Sequence, residues 1–526
     1  MRALDTRIAS GDRARRLIRA TLAASASVLV TGVFAQPALA QDETEEEDVI
    51  LVTGVRASLE RAMDIKRDAT GVVDAISAED IGKFPDTNLA ESLQRVPGVS
   101  INRVNGEGSQ VTVRGFGPAF NLVTVNGRQI ATSFVNAPGG DQNVDFARAT
   151  SRSFDFNNLA SEGVQRLEVY KTGRAAIPSG GIGAAINIVT LRPLDTAGDG
   201  LRGSVGAKAL YDMSNDDFHV DPEFSGVVTW TDVENTFGVS LFGAYQKRQS
   251  AAASATSNDW NIAPFSSFPG RGDDTVVTGA PADPETLVAV PNDSRYHYSE
   301  SERERINLSG SAQFRPTDTL TFTADALFAQ NELAEARTDQ TNWFNRPFDN
   351  ITFDTSDTVP TAIYIDEGSG YATKDIGFEQ QYRATKTELQ SYGLNAEWEI
   401  SDGFSLTLDG NHSISNSTPN SANGASSTLV SFGAPVVDAH SVDYSGAVPQ
   451  QNWTLDDSTF AAGPDEIMGT ADDLPRGNGN GVLDIGDLGT QVQRTNASSQ
   501  RHRLNQVSGN LGWDFGGGSR FDVGAS

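Results

Sequence analysis

The sequence predicts an α+β domain followed by a transmembrane antiparallel β-barrel, on three observations. From Leu201 onward apolar and polar residues alternate with a period of two: Ile306, Leu308, Gly310, Ala312 and Phe314 are set between Asn307, Ser309, Ser311 and Gln313. The connections between such runs alternate between short turns and very long segments, the asymmetry of membrane barrels. Ahead of them, residues from about 55 to 193 lack this pattern and carry capped helical and short β-prone stretches.

The chain opens on a basic region with Arg2, Arg7, Arg13, Arg15, Arg16 and Arg19, followed by an uncharged stretch from Ala20 to Phe34. Ala38-Leu39-Ala40 ahead of Gln41 reads as a small-residue cleavage site, so residues 1–40 are expected to be a signal peptide. The stretch is short for a membrane helix, which needs roughly 20 apolar residues. Arg15-Arg16 alone is weak support for twin-arginine export. Residues 41–54 form an acidic tail ending in Asp48-Val49-Ile50-Leu51-Val52-Thr53-Gly54. A β-prone run beside a solvated acidic tail offers unpaired backbone groups to a strand of another protein. The first strand of an ordinary domain is the alternative on these residues alone.

Residues 55–195 read as one compact domain. Ser77-Ala78-Glu79-Asp80 has the form of a helix N-cap with acids in the first turn. Asp86-Thr87-Asn88 starts a second helix, Leu89 to Val96, that Pro97-Gly98 stops. Short strands are expected at 99–101, 111–113, 122–125 (turned by Asn126-Gly127), 164–170 and 185–190.

Residues 196–526 read as barrel strands. Leu320, Phe322, Ala324, Ala326 and Phe328 alternate with Thr321, Thr323 and Asp325, and the runs at 392–400 and 404–409 behave alike. Short turns are expected at Thr231–Asn235, Arg315–Thr319, Ser401–Gly403 and Gly516–Gly518, with Trp230, Phe237, Phe314, Trp398, Phe404, Trp513 and Phe515 beside them as an aromatic girdle. The long segments are Arg248–Arg303, Gln330–Glu388 and Ser415–Arg501. A soluble sandwich also alternates, but its connections typically run about 4–6 residues. About nine strands fit, against about 22 in plugged transporter barrels, so the chain reads as the N-terminal part of a longer protein.

Composition excludes several classes. The formal net charge of -29 argues against a general nucleic-acid binder. Without cysteine there is no disulfide framework and no thiolate metal site or nucleophile. The five histidines are scattered, without an H-E-x-x-H or G-x-S-x-G signature, so no enzyme is expected.

An ordered series then becomes recognisable: Phe84-Pro85-Asp86-Thr87-Asn88-Leu89-Ala90-Glu91-Ser92-Leu93, Val96-Pro97-Gly98-Val99, Val113-Arg114-Gly115, Val125-Asn126-Gly127-Arg128, Glu168-Val169-Tyr170-Lys171, and Gly180 through Ile188. Together these resemble the plug domain of TonB-dependent outer-membrane receptors, closely over residues 45–193 and by architecture beyond. The series is also similar to the receptor group of Caulobacter and Xanthomonas relatives, many of them linked to carbohydrate uptake. The resemblance implies an outer membrane location, with the tail in the periplasm, the long loops outside and the wall in contact with outer-membrane lipids. Asp48, Val49, Ile50, Leu51, Val52 and Thr53 would be the TonB box, captured by TonB and its inner-membrane energising complex. Arg114, and with an ambiguous alignment Arg174, would latch the plug to barrel-wall acids; a surface strand position is the alternative for Arg114. The implied function is active import of a scarce nutrient, with a passive channel or adhesin as the alternative.

The Gly181-Ile182-Gly183 run lacks the setting of a dinucleotide loop, and close backbone packing explains it better. Loop aromatics, Trp343, Phe344 and Trp453 among them, together with many acids suit sugars, so a carbohydrate is expected over an anionic ferric siderophore within the partner class of small-molecule or oligosaccharide substrate. Packing of loop against loop is the alternative for each of them. No cofactor is expected beyond a calcium candidate at Asn478, Asn480, Asp484 and Asp487, where Arg476 stands in place of the first acid and a solvated loop is the alternative.

Overall fold

The computed structural model describes residues 63–67, 71–77, 88–104, 106–133, 153–175, 177–195, 198–214, 219–257, 259–368, 374–458, 460–461, 469–517 and 519–526. The expected signal peptide, the segment 48–53 and the helix start at 78–80 lie outside them.

The first domain is built from β1 (Val73–Ser77), α1 (Leu89–Leu93), β2 (Val99–Val104), β3 (Glu107–Val113), β4 (Asn121–Val125), β5 (Arg128–Gln129), β6 (Val164–Tyr170) and β7 (Ala184–Thr190). Asn88 caps α1 by accepting from the N–H groups of Ala90 and Glu91, and its amide donates to the Gly108 carbonyl at 2.6 Å. The helix ends a turn earlier than Val96, ahead of Pro97. A five-stranded sheet runs β1-β6-β7-β4-β5, parallel only at β4–β7, and β2–β3 form a separate hairpin. Leu89, Leu93, Val111, Val113, Phe156, Leu167, Val169, Ile186 and Ile188 form the core, which Ala329 and Leu389 of the barrel wall complete. At Gly181 a Cβ would lie 2.3 Å from the Ala184 carbonyl oxygen, so this glycine serves close packing, as expected.

The second part starts with β8 (Gly200–Leu210), β9 (Asp221–Thr231) and β10 (Phe237–Thr256). β11 (Trp260–Pro264), β12 (Val276–Thr278) and β13 (Leu287–Pro291) precede β14 (Asp293–Thr317) and β15 (Leu320–Trp343). β16 (Asn350–Asp354) and β17 (Thr361–Glu367) lead to β18 (Lys374–Ser401), β19 (Phe404–Pro419) and β20 (Ser427–Asp443). β21 (Gln450–Leu455), β22 (Phe460–Ala461), β23 (Leu474–Pro475) and β24 (Gly489–Asn496) come before β25 (Gln500–Asp514) and β26 (Arg520–Ala525).

Antiparallel registers chain β8, β9, β10, β14, β15, β18, β19, β25 and β26 in that order, the nine strands of the sequence reading. Above β19 and β25, β20 and β24 continue the same two columns. The tight turns fall where expected, with Thr317 paired to Leu320 and Ser401 to Phe404.

Outward positions near these turns carry the exposed rings of Trp230, Phe237, Phe314, Phe322, Trp398 and Trp513. A band of Leu241, Leu308, Leu394, Leu408 and small residues follows, closed by Phe224, Tyr245, Phe328 and Tyr392. Beyond it the outward positions become charged, with Lys247 3.0 Å from Glu302 and Lys386 3.3 Å from Glu332. An apolar band between two aromatic rims is the profile of a wall that meets lipid.

The strands do not stop there. β14, β15 and β18 run for 25, 24 and 28 residues, against the 9–11 or so needed to cross a bilayer. Much of what the sequence offered as long loop is therefore strand. Three of these segments also join one another: β12 pairs with β16, β13 with β17, and β17 with β20, over a core of Phe265, Phe268, Val288, Phe348, Phe353 and Ile365.

Candidate functional site

The inner face of the wall meets the first domain along a seam of ion pairs and hydrogen bonds. Its lower tier starts at the turn between β4 and β5, where Asn126 (φ 53) and Gly127 (φ 80) both adopt left-handed backbone, as a two-residue hairpin requires. The turn aims Arg128 at the wall. Its Nη1 lies 2.6 Å from Asp325 on β15, and its Nε donates to both oxygens of Asp409 on β19 at 2.8 and 2.9 Å. Burial works against the guanidinium charge, but the two carboxylates outweigh it and raise the pKa. Asn395 on β18 donates to Asp409 as well.

The guanidinium reaches both acids by crossing β18 at Gly393, which pairs with Asp325 on one side and Asn411 on the other. A Cβ at that position would lie 1.8 Å from the Arg128 Nη1. The missing side chain is the groove in which the arginine lies.

From Arg128 the chain climbs along β19 and β25. The Gln129 carbonyl accepts from Asn411 at 2.8 Å, and the N–H of Ala131 donates to Ser413 at 3.0 Å. Thr132 N–H donates to the His502 Nδ1, and the hydroxyls of Ser133 and Ser415 meet at 2.6 Å. The wall residues 411, 413 and 415 recur at the two-residue step of one strand face. Past Gln129, the last residue of β5, polar side chains of the wall hold this backbone.

An upper tier sits at the tip of the β2–β3 hairpin. Glu107, fully buried, forms an ion pair with Arg303 and lies 3.5 Å from Arg305, both on β14. Arg305 donates to the Asn157 carbonyl at 2.9 Å, and Asn307 donates to that of Asn158 at 3.0 Å. Lys208 on β8 reaches Glu162 at 2.9 Å.

Asp155 accepts from Ser109 at 2.9 Å and from the Asn157 N–H at 3.0 Å, yet burial pushes its carboxyl up to about 6. An acid whose pKa is raised on folding contributes stability below its unfolded value of 3.8, and that contribution is lost as pH rises through about 6. Asp155→Asn is therefore expected to stabilise the domain at pH 8 by up to about 3 kcal/mol and to change little at pH 3.5. Thermal denaturation of both proteins across that range checks it.

The sequence-predicted residues fall elsewhere. Arg114 (φ 52) and Gly115 (φ 79) form the tight turn after β3, and the Arg114 guanidinium donates to the Gly183 carbonyl of its own domain at 2.9 Å. Arg174 stacks on Tyr170, 4.8 Å from the ring centre. Arg128, not singled out as a latch in the sequence, reaches the wall carboxylates Asp325 and Asp409, and Arg192 lies 3.7 Å from Glu397 on β18.

Trp343 lies under Arg295, and Phe344 and Trp453 flank the His440 ring at 5.5 and 5.1 Å. All three aromatics are half-buried among loop side chains. In the calcium candidate, Asn478 and Asn480 turn their amide nitrogens to Asp484 at 2.9 and 2.7 Å, and their oxygens accept backbone N–H groups. Asp484 and Asp487 cap the turn between them. These oxygens are spent on the loop itself, which does not fit a cation cage.

Residues 65–185 match the family model "TonB-dependent Receptor Plug Domain". The ferric enterobactin receptor PirA of Pseudomonas aeruginosa is 31% identical over 202 residues, 37% of this chain and 26% of that one. The vitamin B12 transporter BtuB of Photobacterium profundum is 29% identical over 153 residues, 29% of this chain and 22% of its own. The chain thus spans about a quarter of the length of these curated relatives. A solved variant of the ferric enterobactin receptor PfeA of Pseudomonas aeruginosa aligns over 88% of this chain and 58% of that one, at 16% identity and a TM-score of 0.34.

Proposed function

We propose that this chain, whose residues 65–185 match the plug domain of TonB-dependent receptors, is a TonB-dependent outer-membrane receptor that imports a scarce nutrient by energised release of that plug from the wall. The carrying observation is the nature of the seam. Most of the plug's apolar core is its own, with Ala329 and Leu389 of the wall at its edge, and Arg128, the 129–133 segment and Glu107 add charges and hydrogen bonds between plug and wall. Buried ion pairs add little net stability, yet losing one partner is costly, so such contacts favour two discrete states. In this reading TonB takes Asp48–Thr53 as an added strand and transmits the pull. The work is transport, not catalysis.

For the substrate we favour a polar small molecule or oligosaccharide over a ferric siderophore, on the acids of the long segments. Their aromatics lend less support, since they pack among neighbours. PirA is named for ferric enterobactin and BtuB for vitamin B12, so relatives of this domain serve different cargoes.

The reading is tested by co-purifying the periplasmic domain of TonB with the full chain and with a variant lacking residues 48–54. Retention by the full chain and a loss of at least about a hundredfold in the variant is expected, a strand's worth of backbone bonds being removed. Equal recovery with both proteins, or none with either, would favour a passive channel or adhesin.

A further inference from the structure

We propose that Arg248, Arg303 and Arg305 form an anion site on the inner wall, that Glu107 of the plug occupies it as a built-in surrogate, and that the substrate carries the anionic group that displaces it. The idea rests on the import reading above and names one chemical feature of the cargo: a carboxylate, phosphate or sulfate.

The register places the three side chains together. Arg248 on β10 is directly opposite Arg303 on β14, and Gln246 is opposite Arg305, so three guanidiniums share one patch of two adjacent strands. One plug carboxylate, Glu107, answers them. The other acids nearby, Glu162, Glu223 and Asp155, lie within electrostatic reach of Arg305 but direct their hydrogen bonds to other groups. Glu162 pairs with Lys208, Glu223 accepts from Gln246 and lies 3.8 Å from Lys208, and Asp155 accepts from Ser109 and the Asn157 N–H. Asp212 stands 3.9 Å from Arg248.

The patch has donors to spare. Among the described residues, Nε and Nη2 of Arg303 and Nε and Nη1 of Arg248 are buried and find no acceptor. The remaining Arg248 nitrogen, the one 3.9 Å from Asp212, donates to the Gly106 carbonyl at 3.4 Å. Buried guanidinium N–H groups left unsatisfied are costly, and a planar fork of such donors suits a carboxylate or an oxyanion of phosphorus or sulfur.

Displacement has a mechanical consequence. Glu107 opens β3 at the tip of the hairpin, so an anion that takes over Arg303 and Arg305 frees the hairpin tip, while Asn307 and Lys208 still hold the rest of the upper tier and Arg128 the lower one. Occupancy of the site and docking of the plug are then linked, and each alters the other by the same factor. The acidic outer segments and this basic patch suit a solute with few charges, one of which the arginines receive.

Calorimetric titration of the full chain in detergent with phosphate, sulfate and citrate, at constant ionic strength against chloride, tests the site. Saturable binding of at least one anion is expected. Glu107→Gln removes the internal competitor and should tighten it about tenfold, and Arg248→Gln should weaken it at least as much. Arg248 lies outside the Glu107 ion pair, so of the plug's contacts that variant loses only the 3.4 Å one to Gly106, keeps the Glu107–Arg303 pair and guards against a mere folding defect. Absence of saturable binding in both the full chain and Glu107→Gln, or binding indifferent to Arg248→Gln, overturns the proposal. TonB takes no part in the titration: a negative result leaves the import reading standing, and a failed TonB co-purification leaves the anion site standing.

Discussion

Arg128→Ala should release the 129–133 segment from the wall, at a cost to plug docking of about 3–5 kcal/mol, the usual penalty for stranding buried charges. The side chain is 6% exposed, and its removal leaves Asp325 and Asp409 facing each other across β18. Hydrogen exchange at Ala131 and Thr132, whose N–H groups bond to Ser413 and His502, gives the readout, with a loss of protection of about a hundredfold or more expected. Adding Asp325→Asn and Asp409→Asn should restore much of it, because the cost lies in the uncompensated carboxylates rather than in lost contact area. Full protection in Arg128→Ala would mean that the neighbouring hydrogen bonds suffice without the ion pairs.

Gly393→Ala is expected to do similar damage without altering any charge. The added methyl would occupy the groove in which the Arg128 guanidinium crosses β18, and overpacking of this kind costs about 1–3 kcal/mol. The decisive comparison is with the double variant. If the methyl acts by expelling the arginine, Gly393→Ala should cost almost nothing in the Arg128→Ala background, a clear departure from additivity. Additive losses would place the effect in the β18 backbone instead.

The membrane-facing wall was legible because its outward face is apolar and its inward face polar, so the period of two is unmistakable from Ile306 to Phe314. Above the bilayer that signal vanishes. In β14 the run Tyr298-Ser299-Glu300-Ser301-Glu302 is polar on both faces, and only the register with β10 and β15 shows it to be strand. Arg128 was hidden for a related reason. Its partners lie 197 and 281 residues away, and an aspartate on an inward face that is polar throughout carries no mark of its own. A faint signal existed: Asp325 and Asp409 stand at similar heights above their turns, with a glycine on the strand between them. Arg114 drew attention through the ordered motif series, yet its positive φ ties it to a turn whose guanidinium closes on Gly183.

The central claim, that the plug leaves the wall when energised, is most directly tested by labelling a single cysteine in the seam. The chain has no native cysteine, and Ser413 is fully buried behind Ala131, so Ser413→Cys is a reporter with no background. Maleimide labelling in intact cells should be slow without proton-motive force, at least about tenfold faster with it, and slow again when residues 48–54 are deleted. An equal rate in all three conditions would contradict energised release and leave the plug a fixed part of the wall.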